Sequence, residues 1–267
     1  MDFLEPDAFF DLASFEHRDL FADCKYVWDA MGKIAGYLER RLGANMDGVK
    51  CFKRPLPETV VLWRGKTLRG GFEIIGGDVT KGRFRVRIEG EETTEAAVLW
   101  EGSVLWDDSI FIGPGAVVEP GALVKGPTII GPNTEVRQGA YVRGNCIVGA
   151  GCIVGHTTEM KTSVMLDGAK AGHFAYIGDS VIGREANLGA GTKLANLKIR
   201  DQNIRVMAHG TRILTNLRKF GAIFGDHVET GCNSVTNPGT VLGKSCQVFP
   251  LTSVRAGYYE PNSVIRG

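Results

Sequence analysis

One periodicity governs most of the chain. From Ile112 an apolar residue recurs at every sixth position, at Val118, Val124, Ile130, Val136, Val142, Val148, Val154, Met160 and Leu166, and Trp100 and Trp106 extend the series backwards. Four residues after each comes a small or compact one: Ala116, Ala122, Thr128, Thr134, Ala140, Cys146, Cys152, Thr158 and Val164. The series shifts phase after Leu166. It resumes at Ile182, Leu188 and Leu194, and returns at Phe224, Thr230, Thr236, Leu242, Val248 and Val254.

A period of six fits neither an amphipathic helix nor an alternating strand. It fits a short flat strand followed by a corner. Three such strands close one coil of about 18 residues, with large aliphatics stacked inside and Gly, Asn or Asp at corners that require positive φ. The expected fold is all-β: a left-handed parallel β-helix of hexapeptide type, an exception to the right-handed crossover rule. About eight coils fit between residue 100 and the C-terminus. Flat prism faces need covering, which favours a homo-oligomer.

The first 98 residues obey other rules. "ADCKYVWDAMGKIAGYLERRLG" places Val27, Ala30, Met31, Ile34, Leu38 and Leu42 at helical spacing, with Asp23 as N-cap and Gly43 as C-cap. "TVVLW", "FEIIGGDVT" and "RFRVRI" read as short strands joined by glycine turns. Residues 1–98 are therefore expected to form a small α+β region that caps the first coil, and residues 99–267 the β-helix. The glycines of "RGGFEIIGGD" lack the strand-to-helix setting of a phosphate-binding loop and read as a hairpin turn.

Charge excludes some partners. Lys and Arg number 31 against 30 Asp and Glu, a formal charge of +1, so no bulk field draws the chain to nucleic acid or an anionic membrane. Any anionic ligand must be held locally. With no basic-then-apolar start and no run of about 18 apolar residues, the chain reads as soluble, unexported and cytoplasmic. Cys24, Cys51, Cys146, Cys152, Cys232 and Cys246 form no CxxC pair, so neither a disulfide framework nor a zinc ribbon is expected. Cys146 and Cys152, at small inward positions, read as core. His17, His156, His209 and His227 show no metal-ligand spacing, and no metal centre is expected.

Polar residues interrupt the ruler between residues 142 and 196, at Arg143, Glu159, Lys161, His173, Tyr176, Asn187 and Asn196. Coil arithmetic places Arg143, Glu159 and Tyr176 near one edge on successive coils. There Arg143 and Lys161 would meet an anionic substrate. His173 follows Gly172, which stands where an aliphatic is due. A histidine titrates near neutrality and takes a proton from an attacking amine or hydroxyl. Glu159, one coil earlier, would orient its ring. Pattern alone equally allows a hydrogen-bonded corner histidine, and Asn187 equally an Asn that closes a turn. Beyond Asn196 the segment "NLKIRDQNIRVMAHGTRILTNLRKF" loses the period and carries Lys198, Arg200, Arg205, Arg212, Arg218 and Lys219. It reads as a basic loop, 197–220, reaching over a neighbouring subunit.

The elements "EMK", "KAGH", "YIGD" and "NLGAGT" occur in this order between residues 154 and 197. In them the chain resembles the acetyltransferase domain of the bifunctional bacterial glucosamine-1-phosphate acetyltransferase and N-acetylglucosamine-1-phosphate uridylyltransferase. Through "GAGTKLANL" and "LRKFGAIFGDHVETG" it resembles still more closely the archaeal-type sugar nucleotidyltransferases with a C-terminal acyltransferase β-helix. The resemblance covers roughly residues 100 to 260. It implies that His173 deprotonates the amine of an amino-sugar phosphate for attack on acetyl-CoA, with Glu159 in support. Arg143 and Lys161 would bind the phosphate, and Tyr176 and Asn187 the sugar. Asn196, with backbone amides around Ala190, would polarise the thioester carbonyl. Acetyl-CoA, the cosubstrate, would lie along Ala190, Cys232 and Pro250 between the subunits of a homotrimer.

The departures from that pattern narrow the reading. No "GxGTRM…PK"-like signature precedes the repeat, so nucleotidyltransferase activity is not expected. "LKIRD" follows Asn196 where the bacterial relatives carry an aromatic and then "DG", and Cys232 stands where they carry a serine. The expected function is an acetyl-CoA-dependent N-acetyltransferase acting on an amino-sugar phosphate or sugar nucleotide. The alternatives are a non-catalytic sugar-nucleotide-binding or scaffold β-helix related to UDP-N-acetylglucosamine pyrophosphorylases, and an O-acyltransferase with another acceptor.

Overall fold

In the computed structural model, which describes residues 2–200 and 202–267, the six-residue ruler becomes a left-handed parallel β-helix. Its first face includes Glu135–Val136, Ile153–His156, Lys170–His173, Asn187–Leu188 and Glu229–Thr230. The second includes Tyr141–Val142, Glu159–Lys161, Tyr176–Gly178 and Lys193–Leu194. The third includes Thr128–Ile130, Cys146–Val148, Ser163–Met165, Val181–Ile182 and Ala222–Phe224. The second and third faces hold eight strands each.

The inward stack is continuous but differs from the simple ruler at both ends. Leu99 and Leu105, each 0% exposed, fill the first inward positions, whereas Trp106 is exposed and Trp100 packs outside. At the other end Val148 pairs with Met165, and Met160 with Ile177. Two corners are therefore one residue short. The inward series runs Met160, Met165, Ala171, Ile177, Ile182, and the expected Leu166 and Val164 face outward while Met165 and Ser163 take their slots. Ala171 thus holds the core position beside His173, and Gly172 replaces no aliphatic. Buried hydroxyls at the small inward positions bond the next coil. Thr134 Oγ1 donates to the Gly149 carbonyl at 2.7 Å and Thr158 Oγ1 to that of Ala171 at 3.0 Å, which satisfies groups that burial would otherwise penalise. Cys146 and Cys152 are core, and burial pushes both thiols up to about 12.

The third face is apolar outside as well as inside. Ile129, Ile147, Val164, Val181, Ile223 and Val241 point away from the core, yet none is more than 3% exposed. Phe9, Phe10, Leu20, Trp28, Ile34 and Leu38 pack on them. Residues 2–42 therefore run along one side of the prism, whereas Met46, Val49, Leu56, Val60 and Leu62 join the prism core at its first coil. The helix in this segment is Asp29–Arg41 and starts later than the apolar spacing suggests. Asp23 has φ +55 and caps nothing; Trp28 occupies the N-cap, and the Asp29 carboxylate instead accepts the Tyr26 amide at 2.8 Å. At the other end Leu42, in extended conformation, is the C-cap in place of Gly43.

The excursion after Asn196 is inserted within one coil without breaking register. Leu188 pairs with Thr230 as Ala171 pairs with Leu188. Its centre is a hairpin of Arg205–Ala208 with Thr211–Leu214. Ile204, Val206, Ala208 and Ile213 are buried in the same cluster as the N-terminal aromatics, so one side of the hairpin packs on its own chain, while Met207 and Leu214 stay exposed. The apolar periodicity of "IRVMA" explains that packing, because alternate residues meet a surface on which to be buried.

Candidate active site

The polar residues fall into two neighbourhoods. On the second face, strand register stacks Tyr141, Glu159, Tyr176 and Lys193 in one outward column. Arg143 Nη1 lies 2.6 Å from Glu159 Oε1, and this bond raises the guanidinium further. Lys161 Nζ lies 2.7 Å from Asp179 Oδ2. The Asn196 side-chain amide donates to that same oxygen. Gly178 leaves room for the arrangement: a Cβ there would sit 2.6 Å from the Tyr176 hydroxyl and 2.8 Å from the Asn196 nitrogen. Burial, and then the Glu159 and Asp179 charges, hold the Tyr176 phenol above its ordinary value.

Several expected partnerships are thereby redirected. Glu159 is engaged by Arg143 and makes no bond to the His173 ring among the described residues. Asn196 is held by Asp179 at the corner beyond the second face, away from the Ala190 corner. Tyr176 belongs to the second face and Asn187 to the first, where Asn187 sits in a strand and lines a cleft with Glu229, Gln247 and Pro250. Both cations expected to take a phosphate already have a carboxylate, whereas Lys193 in the same column donates, among the described residues, only to the Gly191 carbonyl.

The second neighbourhood is the edge where the first face turns into the second. His156 and His173 are direct register partners one coil apart. Above them the same corner brings Ala190, Cys232 and Pro250 in turn. The corners are tied by backbone bonds: Gly191 N to the His173 carbonyl at 2.9 Å, Asn233 N to Ala190 at 2.8 Å and Leu251 N to Cys232 at 3.0 Å. His173, Ala190, Cys232 and Pro250 thus line one edge of the prism. His173 is exposed and its ring lies 6.3 Å from that of Phe174. Cys232 is an exposed free thiol.

Asp179, His156 and Phe174 are the residues that sequence reasoning passed over. Asp179 stands in the quoted "YIGD" element, but only the corner geometry shows that a 7%-exposed carboxylate gathers Lys161 and Asn196. Among the described residues no group of three or more His, Cys, Asp or Glu is placed to hold a metal ion, and no helix is long and apolar enough to cross a membrane.

Fold and corner chemistry together define a hexapeptide-repeat β-helix with a polar edge. Residues 124–266, more than half the chain, match the GMPPB C-terminal domain, and the protein belongs to that family. It is similar to a bifunctional sugar-1-phosphate nucleotidylyltransferase/acetyltransferase of Sulfurisphaera tokodaii, 40% identical over 109 residues, which is 40% of this chain and 27% of the relative. The bifunctional protein GlmU of Methanococcus vannielii is 33% identical over 118 residues, 42% of this chain and 28% of that one. The matched segment thus spans under a third of these curated relatives. Among solved structures, the Francisella novicida UDP-N-acetylglucosamine acyltransferase aligns at a TM-score of 0.34 and 17% identity, over 59% of this chain and 60% of the other.

Proposed function

We propose that the protein is an acetyl-CoA-dependent N-acetyltransferase of an amino-sugar phosphate or sugar nucleotide, with His173 as base. The observation that carries this reading is the edge column of His173, Ala190, Cys232 and Pro250, in which an exposed histidine stands at one end of a track several coils long. A CoA thioester laid along that track presents its carbonyl to an amine beside His173. The amine nitrogen forms a bond to the carbonyl carbon as the carbon–sulfur bond breaks, and His173 takes the amine proton and returns it to the departing thiolate. With Asn196 committed to Asp179, the oxyanion falls to the Ala190 backbone N–H, since the amides of Gly189, Gly191 and Thr192 are already engaged. The similarity to bifunctional acetyltransferases supports the acyl donor.

In one chain the track is open on its outer side. We take it to be completed by a second copy in a homotrimer, through the first and second faces, because residues 2–42 already occupy the third. An anionic acceptor would reach Arg143 by displacing Glu159.

A second reading is a non-catalytic sugar-nucleotide-binding or scaffold β-helix. The pairing of both Arg143 and Lys161 with carboxylates favours it. Incubation with acetyl-CoA and glucosamine, glucosamine 1-phosphate or UDP-glucosamine, followed by mass spectrometry of the sugar, separates the two. An N-acetylated product from a phosphorylated acceptor is expected; none from any acceptor leaves the scaffold.

A further inference from the structure

Building on the transferase reading, we propose that His156 is a second, acceptor-positioning residue: its Nε2 accepts a hydrogen bond from a hydroxyl of the amino sugar while the Phe174 ring packs on the apolar face of that sugar. Three observations carry this. First, His156 Nδ1 lies 2.9 Å from the Gln138 carbonyl oxygen. A carbonyl oxygen only accepts, so Nδ1 carries the proton, and in the neutral ring Nε2 is left with its lone pair directed elsewhere. The His173 ring has no such bond to fix it among the described residues.

Second, the two imidazoles are held together by backbone. His156 and His173 are register partners, and Phe174 N donates to the His156 carbonyl at 2.8 Å. A Cβ at Gly155 would lie 1.9 Å from the Gly172 carbonyl oxygen, so position 155 admits no side chain.

Third, Phe174 places an aromatic ring at an exposed corner beside both histidines. The equivalent corners of other coils also have positive φ and are occupied by Gly121, Gly139, Thr157, Gly191, Asn233 and Leu251, none of them aromatic. Phe174 holds φ +54 and is 54% exposed. The Phe174 and His156 rings meet at 78° with centroids 5.2 Å apart, and the His173 ring lies 6.3 Å away, so a half-exposed apolar ring is flanked by both imidazoles.

The test combines kinetics with a binding measurement that needs no turnover. His156→Ala is expected to raise the KM for the sugar about tenfold, the loss of roughly one hydrogen bond, and to leave the KM for acetyl-CoA unchanged. His156→Gln, which restores an acceptor oxygen, is expected to recover part of the loss. A general structural role would move both KM values together. An unchanged sugar KM in His156→Ala, or a fall in kcat alone, overturns the proposal. Titration of the 15N-histidine-labelled protein with glucosamine 1-phosphate alone is expected to shift the His156 Nε2 signal. If the wild type acetylates nothing, the transferase reading fails by itself, and this titration still decides the role of His156: a shift supports it and a silent signal overturns it.

Discussion

Lys161 Nζ and Asp179 Oδ2 lie 2.7 Å apart, and the amide of Asn196 shares the same carboxylate oxygen. Lys161 and Asp179 project from successive coils, and Asn196 is the last residue before the 197–220 excursion, so one carboxylate ties two coils to the root of the loop. Both charged side chains are largely buried. Breaking such a pair leaves the partner charge without compensation, at a cost of about 3–5 kcal/mol. Asp179→Ala is expected to lower stability in urea by an amount of that order and to expose residues 197–220 to limited proteolysis, with Asp179→Asn milder in both.

The third face gives a second prediction. Trp28 is 1% exposed and its ring centroid lies 6.0 Å from that of Phe220. Trp28→Ala is expected to cost about 3–5 kcal/mol by chemical denaturation. Removing residues 1–42 altogether bares the outer row of Ile129, Ile147, Val164 and Val181. Size-exclusion chromatography of that truncation is expected to show association or loss from solution.

The buried histidine under this cover sets a pH dependence. His17 is packed between Phe15 and Tyr37, with Nδ1 3.1 Å from the Tyr37 hydroxyl. Burial is the main cause that lowers its proton affinity in the folded state. A histidine depressed on folding binds fewer protons folded than unfolded, so its contribution is intact above the ordinary histidine range and is lost as pH falls through the folded value. Thermal melts are expected to show the wild type losing stability from neutrality towards about pH 5, with His17→Gln losing less over the same window.

Thiol chemistry reports on the edge. Cys232 is exposed in the column with His173, whereas Cys146 and Cys152 are buried, with their thiols held up to about 12. An alkylating reagent followed by peptide mass spectrometry is expected to modify Cys232 and spare Cys146 and Cys152 in the native protein. Acetyl-CoA is expected to protect Cys232, and equal labelling with and without it would place the CoA track elsewhere.

The fold was legible because a coil has one inward stack, and Ile112 through Met160 record it residue by residue. What the ruler could not show was its own slips. A corner one residue shorter, between Met160 and Met165, turns Leu166 outward without leaving any apolar gap in the sequence. The cover over the third face was hidden for a related reason. Outward Ile147 and Val181 look like ordinary strand residues until Trp28 and Phe9, far away in sequence, are found on them.

The candidate site was legible as neighbouring residues and much less so as partnerships. Spacing brought Arg143, Glu159 and Tyr176 to one side, as the strand register has it. It could not say that Glu159 would take Arg143, or that Asp179 would take Lys161 and Asn196, because those choices depend on which way a corner side chain leaves the prism.

The most direct measurement is thiol release from acetyl-CoA over a panel of amino sugars and their 1-phosphates, run in parallel with the wild type and His173→Ala. The account predicts turnover by the wild type on at least one phosphorylated amino sugar and a loss of about a hundredfold or more in His173→Ala, the scale of a missing general base. Equal rates in the two proteins, or no release above buffer with any acceptor, would contradict it.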